Sequence, residues 1–241
     1  MNGLWKSVVE NVVFVLEFLG VVAVMFVLAW LIEKLSRKRS GQKKKVLDTR
    51  SITMTGMFSA IAFILFLFEF PLPFAPAFYE VDFSELPVLI GTFAFGPVAG
   101  VMIEFCKILL KLVVKGTSTA FVGDLANFVI GCSLLLPASF VYEWKKTKGG
   151  AIAAVITGTL SMTVFGSLFN AVYLLPTFAQ MYSMPLEGLI GMGTAINPGI
   201  TNITTFVCFA VVPLNLLKGS VVSLITMFVY KPLHVIIKSR K

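Results

Sequence analysis

Charged residues are scarce in this 241-residue chain. Asp, Glu, Lys and Arg together supply 13% of the residues, about half of what is usual for a soluble domain. Hydrophobic residues supply 57%, and the mean hydropathy is +0.92. A soluble domain cannot bury that much apolar surface, so the long apolar runs predict membrane-spanning helices. The sequence therefore predicts an all-α integral membrane protein.

Residues that carry enzyme chemistry are also few. The single histidine, His234, cannot supply a Ser-His-Asp triad or a histidine-based metal site. No G-x-x-x-x-G-K-[S/T] motif occurs, which argues against ATP hydrolysis by a phosphate-binding loop. The three cysteines stand singly in apolar runs, which favours packing over a metal or disulfide framework. We expect no enzyme and no metal site; a membrane enzyme acting on a lipid or prenyl substrate is a rival that these absences weaken.

Basic residues are unevenly distributed. The formal net charge is +8, and most of the 20 basic residues lie in segments 34–50, 145–148 and 231–241. Each segment follows an apolar run, as the positive-inside rule describes for cytoplasmic loops. No basic patch alternates with aromatics as strand recognition requires, so nucleic acid is not an expected partner. The sequence predicts a multi-pass membrane protein, with its basic loops and C-terminus in the cytoplasm.

Apolar runs of helical length divide the chain into seven predicted crossings. They are residues 12–32, 51–68, 84–95, 98–114, 121–141, 151–175, and a last one that begins near Pro213 and ends at residue 230. Residues 1–50 form an extra N-terminal transmembrane helix with a basic linker, and residues 51–241 form a six-helix body. Because proline is favoured in the first turn of a helix, we place the start of the last crossing near Pro213. Residues 176–199 are predicted to lie outside the cell.

One loop interrupts the apolar pattern. Residues 68–87, FEFPLPFAPAFYEVDFSELP, contain four prolines and four acids but no Lys or Arg. The absence of basic residues predicts an external position. Prolines restrict the backbone, and a preordered loop loses less entropy when a ligand binds. We interpret the segment as an aromatic lid.

Three polar residues fall where the apolar pattern predicts membrane. Asn215 and Lys218 share one helical face, and Asn170 lies near the external end of its helix. With the aromatic loop, they suit a small, flat, largely neutral ligand. Two alternatives stay open: Lys218 extends its ammonium to the membrane surface, and Asn170 joins two helices by a hydrogen bond.

A charged stripe and a polar turn complete the unusual features. The stripe consists of charged residues at spacings of three, four and four: Glu104, Lys107, Lys111 and Lys115. A structural Glu104–Lys107 pair is the favoured interpretation. Residues 116–128, GTSTAFVGDLANF, open a helix with Thr and Ser as possible caps and carry Asp124 and Asn127. Asp124 has the alternative of pairing with a lysine of the stripe.

Three stretches resemble the riboflavin-specific S component of energy-coupling-factor (ECF) transporters. They are FEFPLPFAPAFYEVDFSELPVLIGTFAFGPVAG, KGTSTAFVGDLANFVIG and PLNLLKGSVVSLITMFVYKPL, within a resemblance that spans residues 52–233. It implies a six-helix vitamin-binding subunit with its site near the external face. It also implies a transmembrane T component and two cytoplasmic ATPases as partners. Riboflavin would be the cargo, and no cofactor is expected.

The resemblance also implies binding roles for individual residues. Asn170, Asn215 and Lys218 are similar to polar riboflavin contacts, and Tyr79 to part of the lid. The similar stretches contain three further candidates for ligand binding: Asp82, Asp124 and Asn127.

Docking to the T component in the family uses small residues on the first body helix. Gly56 and Ala60 provide a small-xxx-small face here. Packing against another helix of the same chain is the alternative. For the function, the alternatives are an S component for another vitamin and an autonomous secondary transporter.

Overall fold

The computed structural model describes residues 12–40, 48–117 and 119–238. Within these ranges the regular secondary structure is helical apart from one short antiparallel hairpin, in which Phe70 pairs with Val81. The elements are α1 (Val12–Ser40), α2 (Thr49–Phe66), β1 (Phe70–Pro71), β2 (Glu80–Val81), α3 (Glu85–Phe95), α4 (Pro97–Val114), α5 (Val122–Trp144), α6 (Lys148–Phe169), α7 (Leu175–Met181), α8 (Leu186–Thr194), α9 (Ile203–Phe206) and α10 (Val212–Lys238). The predicted all-α class is confirmed.

Five helical stretches in the described residues are long and apolar enough to cross a membrane. They are Phe14–Arg39, Thr49–Phe66, Val122–Trp144, Lys148–Met181 and Ile203–Val229. Of the other two predicted crossings, α3 is an apolar helix of 11 residues. The second, α4, has 18 residues but carries Glu104, Lys107 and Lys111. The seven-crossing topology and its orientation in the cell stay predictions.

Two predicted helix boundaries are wrong. The helix predicted to end at Leu175 continues through a π-helical turn, Asn170–Leu174, into α7. The helix predicted to start near Pro213 already begins at Ile203 and passes through a second π-helical turn, Val207–Val211. The segment predicted to lie outside, residues 176–199, therefore contains the rest of α7 and all of α8.

Both corrections have the same physical cause. Pro176 and Pro213 each stand two residues after a π-helical turn. A proline inside a regular α-helix lacks its N–H and collides with the carbonyl four residues earlier. In the π-turns each backbone hydrogen bond spans one residue more than in an α-helix, so Leu175 N–H donates to the Asn170 carbonyl. Val212 N–H likewise donates to Val207. The wider turn accommodates each proline, and the helix continues.

Side-chain oxygens accept backbone N–H groups at the starts of α2 and α5. Asp48 accepts a hydrogen bond from Ser51 N–H at 2.8 Å. Ahead of α5, the Thr117 hydroxyl accepts from Phe121 N–H at 2.9 Å. Thr119 accepts from Gly123 N–H at 3.0 Å. Both threonines thus accept N–H groups at the start of α5, but the N-cap residue itself is Phe121, which makes no side-chain cap hydrogen bond. Ser118 lies outside the described residues.

The extra helix α1 packs against α4 and α5. Phe18 meets Phe128 edge to face, with ring centroids 6.0 Å apart. The buried carboxylate of Glu33 accepts from Val98 N–H, 3.3 Å away, at the start of α4. Gly96, just before, has a φ of 100° and lies against that carboxylate, where a side chain would be both strained and crowded. The N-terminal helix is thus an integral part of the bundle.

The helix directions place the described parts of the basic segments at one end of the bundle. The Ser36 hydroxyl near the end of α1 donates to Glu143 near the end of α5. Lys148, at the start of α6, lies on the same groove as Phe228 of α10. The acidic hairpin follows the opposite end of α2. This segregation is what the charge asymmetry led us to expect.

Candidate functional site

A cavity of about 120 Å³ lies beneath the hairpin, between α5, α6 and α10. Phe66, Phe78 and Phe178 contribute aromatic rings to its wall. Its polar lining includes six of the seven predicted ligand-binding residues: Tyr79, Asp82, Asn127, Asn170, Asn215 and Lys218. Side chains from four parts of the sequence therefore converge on one small space.

The seventh predicted residue, Asp124, does not line this cavity. Its Oδ1 accepts from the Lys111 ammonium at 2.6 Å, and the carboxylate is buried. This is the pairing with the lysine stripe that the sequence left open. Asn127, one helical turn later, does reach the cavity and donates to the Gly123 carbonyl at 3.1 Å.

Tyr79 ties the hairpin to the π-turn after α6. Its hydroxyl donates to Asn170 Oδ1 at 2.6 Å. Asn170 Nδ2 in turn donates to the Gly166 carbonyl at 2.7 Å, so the amide is held in one orientation. Burial raises the pKa of Tyr79, which keeps its hydroxyl a donor at neutral pH. Its ring also contacts Phe206, with centroids 6.1 Å apart.

Asn215 brings an unpaired donor to the cavity. Its Nδ2 is buried and has no hydrogen-bond partner among the described residues. Gly166 makes room for it, because a Cβ at that position would lie 2.8 Å from Asn215 Nδ2. A buried donor without a partner costs about 1–3 kcal/mol. Such a group is suited to a ligand that offers it an acceptor.

Lys218 is buried against acidic side chains. It is 7% exposed, and its ammonium lies 2.9 Å from Asp82 Oδ2 and 3.5 Å from Glu85 Oε1. The alternative in which Lys218 reaches the membrane surface is therefore wrong. Burial alone would raise the pKa of Asp82, but the ammonium groups of Lys218 and Lys107 outweigh it and hold that pKa below its usual value.

A second ionic cluster lies directly behind this pair. The fully buried Lys107 ammonium contacts Ser84 Oγ at 2.9 Å, Glu85 Oε1 at 3.0 Å and Glu104 Oε1 at 2.8 Å. The predicted Glu104–Lys107 pair is thus confirmed. Gly131 provides the space, since a Cβ there would come 2.5 Å from Glu104 Oε1.

Sequence reasoning missed Glu85, which links the two lysines. Its Oε1 is the oxygen that approaches both Lys107 and Lys218. One signal was available, because Glu85 stands three residues after Asp82 in the same acidic segment. Nothing in the local pattern indicated which lysines it would meet.

Comparison with known proteins assigns the chain to a family. The sequence model described as "ECF transporter, substrate-specific component" matches residues 50–230. This match begins one residue after the start of α2 and leaves α1 outside it. The chain belongs to the substrate-specific components of ECF transporters.

Individual relatives agree with this family. The riboflavin transporter RibU of Staphylococcus aureus is 33% identical over 197 residues, which cover 82% of this chain and 94% of the relative. The riboflavin transporter FmnP of Bacillus subtilis is 29% identical over 185 residues, covering 76% and 92%. A solved S component of a bacterial ECF transporter has a TM-score of 0.61 and 33% identity, over 78% of this chain and 98% of that one.

The predicted docking residues of this S component face outward on α2. Gly56 and Ala60 are exposed, and a Cβ at Gly56 would meet nothing within 4 Å. Within the described residues, no other helix covers this face, so packing inside the chain does not explain the small residues. Their role in docking stays a prediction.

A larger groove, about 680 Å³, lies between α6 and α10 but has a different character. Its lining is mostly apolar, with Lys148 at one end. Two of its polar side chains, Thr159 and Ser223, bond to each other at 2.9 Å. The cavity beneath the hairpin is therefore the better candidate, because its polar groups converge.

Proposed function

We propose that this S component binds riboflavin and delivers it to an ATP-driven importer. The observation that carries the proposal is the cavity beneath the aromatic hairpin, where the unpaired Asn215 amide lies beside Asn170 and Lys218. The names of the relatives, which are riboflavin transporters, support the choice of vitamin.

The cavity has the chemistry that a flavin requires. Riboflavin combines a flat ring system with carbonyl oxygens at its edge and a chain of hydroxyls. Phe78 and Tyr79 offer ring faces, and the amides of Asn170 and Asn215 can donate and accept at the edge. The ammonium of Lys218 can donate to a carbonyl oxygen. Riboflavin is in this proposal a cargo that leaves unchanged, neither a resident cofactor nor a reactant.

Binding requires the hairpin to move. The cavity of about 120 Å³ is smaller than the roughly 300–1,000 Å³ of typical small-molecule sites. Two contacts hold the hairpin down: Tyr79 to Asn170 at 2.6 Å, and Asp82 to Lys218 at 2.9 Å. Opening breaks both and frees Asn170 and Lys218 to face the ligand. Closing over riboflavin then buries the ring system.

We infer the remaining features of the importer from the family. The T component docks on the α2 face around Gly56 and Ala60, and two cytoplasmic ATPases supply the energy. The basic end of the bundle faces the cytoplasm, and the hairpin faces outside. Membrane lipid surrounds the apolar helices.

Flavin binding by the purified chain tests the proposal. Bound flavin gives a yellow protein, and titration of flavin fluorescence measures the dissociation constant. The fluorescence of riboflavin is expected to be quenched on binding. Thiamine and biotin at the same concentration should not displace it. Direct binding of another vitamin, with no flavin binding, would assign the site to that vitamin.

Uptake by vesicles tests the mode of transport. Vesicles that contain this chain alone should not accumulate riboflavin, and addition of the T component and ATPases with ATP should restore uptake. Accumulation by the chain alone would favour an autonomous secondary transporter.

A further inference from the structure

A second cavity lies at the basic end of the bundle, between α1 and α5. Its volume is about 240 Å³. It belongs to the contact between the extra helix and the body, far along α5 from the cavity beneath the hairpin. Its wall is mainly apolar, from Ile32 and Leu35 of α1 and Phe140 and Trp144 of α5.

The apolar wall is open to the surroundings. Leu35, Phe140 and Trp144 are 58%, 42% and 56% exposed. The rings of Phe140 and Trp144 lie 5.1 Å apart, so they form one continuous surface. On a transmembrane bundle, such a surface is in contact with acyl chains.

One cation stands at the edge of this cavity. The Arg39 guanidinium carbon lies 4.5 Å from the centre of the Trp144 ring. Arg39 makes no ion pair with any residue that the structure describes, and the indole holds its planar group beside the cavity. An arginine held in this way keeps its hydrogen-bond donors available for a phosphate.

The acidic group in the lining is already paired. Glu143 Oε1 lies 2.9 Å from the Lys146 ammonium, and Oε2 accepts from the Ser36 hydroxyl. The neighbouring Arg37 is paired with Glu33 at 2.5 Å. The electrostatic balance at the cavity edge is therefore positive.

We propose that this cavity binds an anionic phospholipid, with an acyl chain along the Leu35–Phe140–Trp144 surface and the phosphate on Arg39. A basic pocket between transmembrane helices is the arrangement that anionic head groups recognise. A soluble anion would gain nothing from the apolar wall, whereas a phospholipid uses both parts. The bound lipid would bridge α1 and α5, and so fasten the extra helix to the body.

Lipid binding by the purified full chain tests this proposal. The detergent-solubilised protein is mixed with phosphatidylglycerol or phosphatidylcholine, and native mass spectrometry counts the bound lipids. The wild type should retain phosphatidylglycerol in preference to phosphatidylcholine. Arg39→Gln should weaken phosphatidylglycerol binding about fivefold, because one basic residue near an anionic head group raises lipid affinity by about that factor.

Two further variants separate the parts of the site. Leu35→Trp should fill the cavity and reduce phosphatidylglycerol binding with Arg39 intact. Lys38→Gln removes one charge from the same helix end, outside the cavity lining, and should leave lipid retention near the wild-type level. If Arg39→Gln does not fold, Leu35→Trp still decides whether the cavity is occupied.

Three results would overturn the proposal. Equal phosphatidylglycerol retention by the wild type and Leu35→Trp would exclude an acyl chain in the cavity. Equal losses in Arg39→Gln and Lys38→Gln would indicate diffuse attraction to the basic surface. Displacement of the lipid by soluble glycerol phosphate would show that the head group alone is recognised.

Discussion

Two buried lysines of this S component lie close together and have different surroundings. Lys107 is fully enclosed, and its ammonium is satisfied by Ser84, Glu85 and Glu104, three protein groups within 3.0 Å. Lys218 lies 2.9 Å from Asp82 and 3.5 Å from Glu85, and it is on the wall of the cavity beneath the hairpin. The first ammonium has no room for a ligand, and the second does.

This contrast separates the fold from the site within one ionic network. Burying a charge is tolerated only when partners compensate it, and both lysines meet that condition. The partners of Lys107 lie on α3 and α4 and the turn between hairpin and helix, which do not move relative to one another if the bundle stays intact. The nearer partner of Lys218, Asp82, directly follows strand β2 of the hairpin, which we expect to open. We therefore expect substitutions of the two lysines to damage different properties.

The largest effect is expected for Lys107→Met, on stability. The change leaves Glu104 buried without a cation and leaves Glu85 only the more distant Lys218 ammonium, 3.5 Å away. Breaking a buried pair in this way costs about 3–5 kcal/mol. The free energy of unfolding in detergent, from denaturant titration, measures the loss. The control is Lys115→Met, since Lys115 pairs with Glu69 at the surface and should cost no more than about 1 kcal/mol. Equal losses in both variants would mean that the buried cluster does not support the fold.

A smaller effect is expected for Lys218→Met, on affinity. Loss of one donor leaves a buried polar group of riboflavin unpaired, which costs about 1–3 kcal/mol of binding free energy. The dissociation constant should therefore rise about five- to 150-fold. Asn215→Leu should act in the same range, because it removes the free amide. Lys145→Met, at the other end of the bundle, should change nothing. Fluorescence titration would contradict this if both site variants bound like the wild type.

Tyr79→Phe should have a modest effect, on the rate of release. The variant keeps the ring and loses the hydrogen bond to Asn170, which contributes about 0.5–1.5 kcal/mol. If this bond forms again when the hairpin closes over riboflavin, its loss should make riboflavin dissociate about two- to tenfold faster. Stopped-flow fluorescence gives the rate, and Tyr182→Phe, at an exposed tyrosine outside the cavity lining, is the control. An unchanged rate would remove Tyr79 from the closing contact.

The smallest effect on the isolated chain is expected for Gly56→Leu. The side chain has open space around it, so stability and riboflavin affinity should stay at wild-type values. Uptake with the T component and ATPases should fall, because a bulky residue holds two helices apart. Ile52→Leu places a leucine at an exposed position of the same helix without adding bulk and should transport normally. Normal uptake by Gly56→Leu would exclude this face as the docking surface.

Sequence periodicity could predict only the local part of the site. Asn215 and Lys218 share a helical face because they are three residues apart, and the stripe from Glu104 to Lys115 follows from the same spacing. The pairing of Lys218 with Asp82 joins positions 136 residues apart, so no local pattern contains it.

The helix ends were mispredicted for a related reason. Pro176 and Pro213 indicated boundaries because proline breaks a regular helix. The two π-helical turns that accommodate them are adjacent in the bundle. The first begins at Asn170, and the second ends four residues before Asn215; both asparagines line the cavity. Such turns often occur at functional sites. Their position depends on packing between α6 and α10, which a single sequence does not encode visibly.

The riboflavin affinity of the double variant Asp82→Asn/Lys218→Met is the most direct test of the central claim. This variant removes both charges of the pair, so Asp82 is not left buried without a partner, and its stability should stay closer to the wild type than that of Lys218→Met alone. If Lys218 contacts riboflavin, fluorescence titration will still give a dissociation constant at least about fivefold above the wild type. A wild-type dissociation constant would show that Lys218 serves only to neutralise Asp82, and would contradict its place in the binding site.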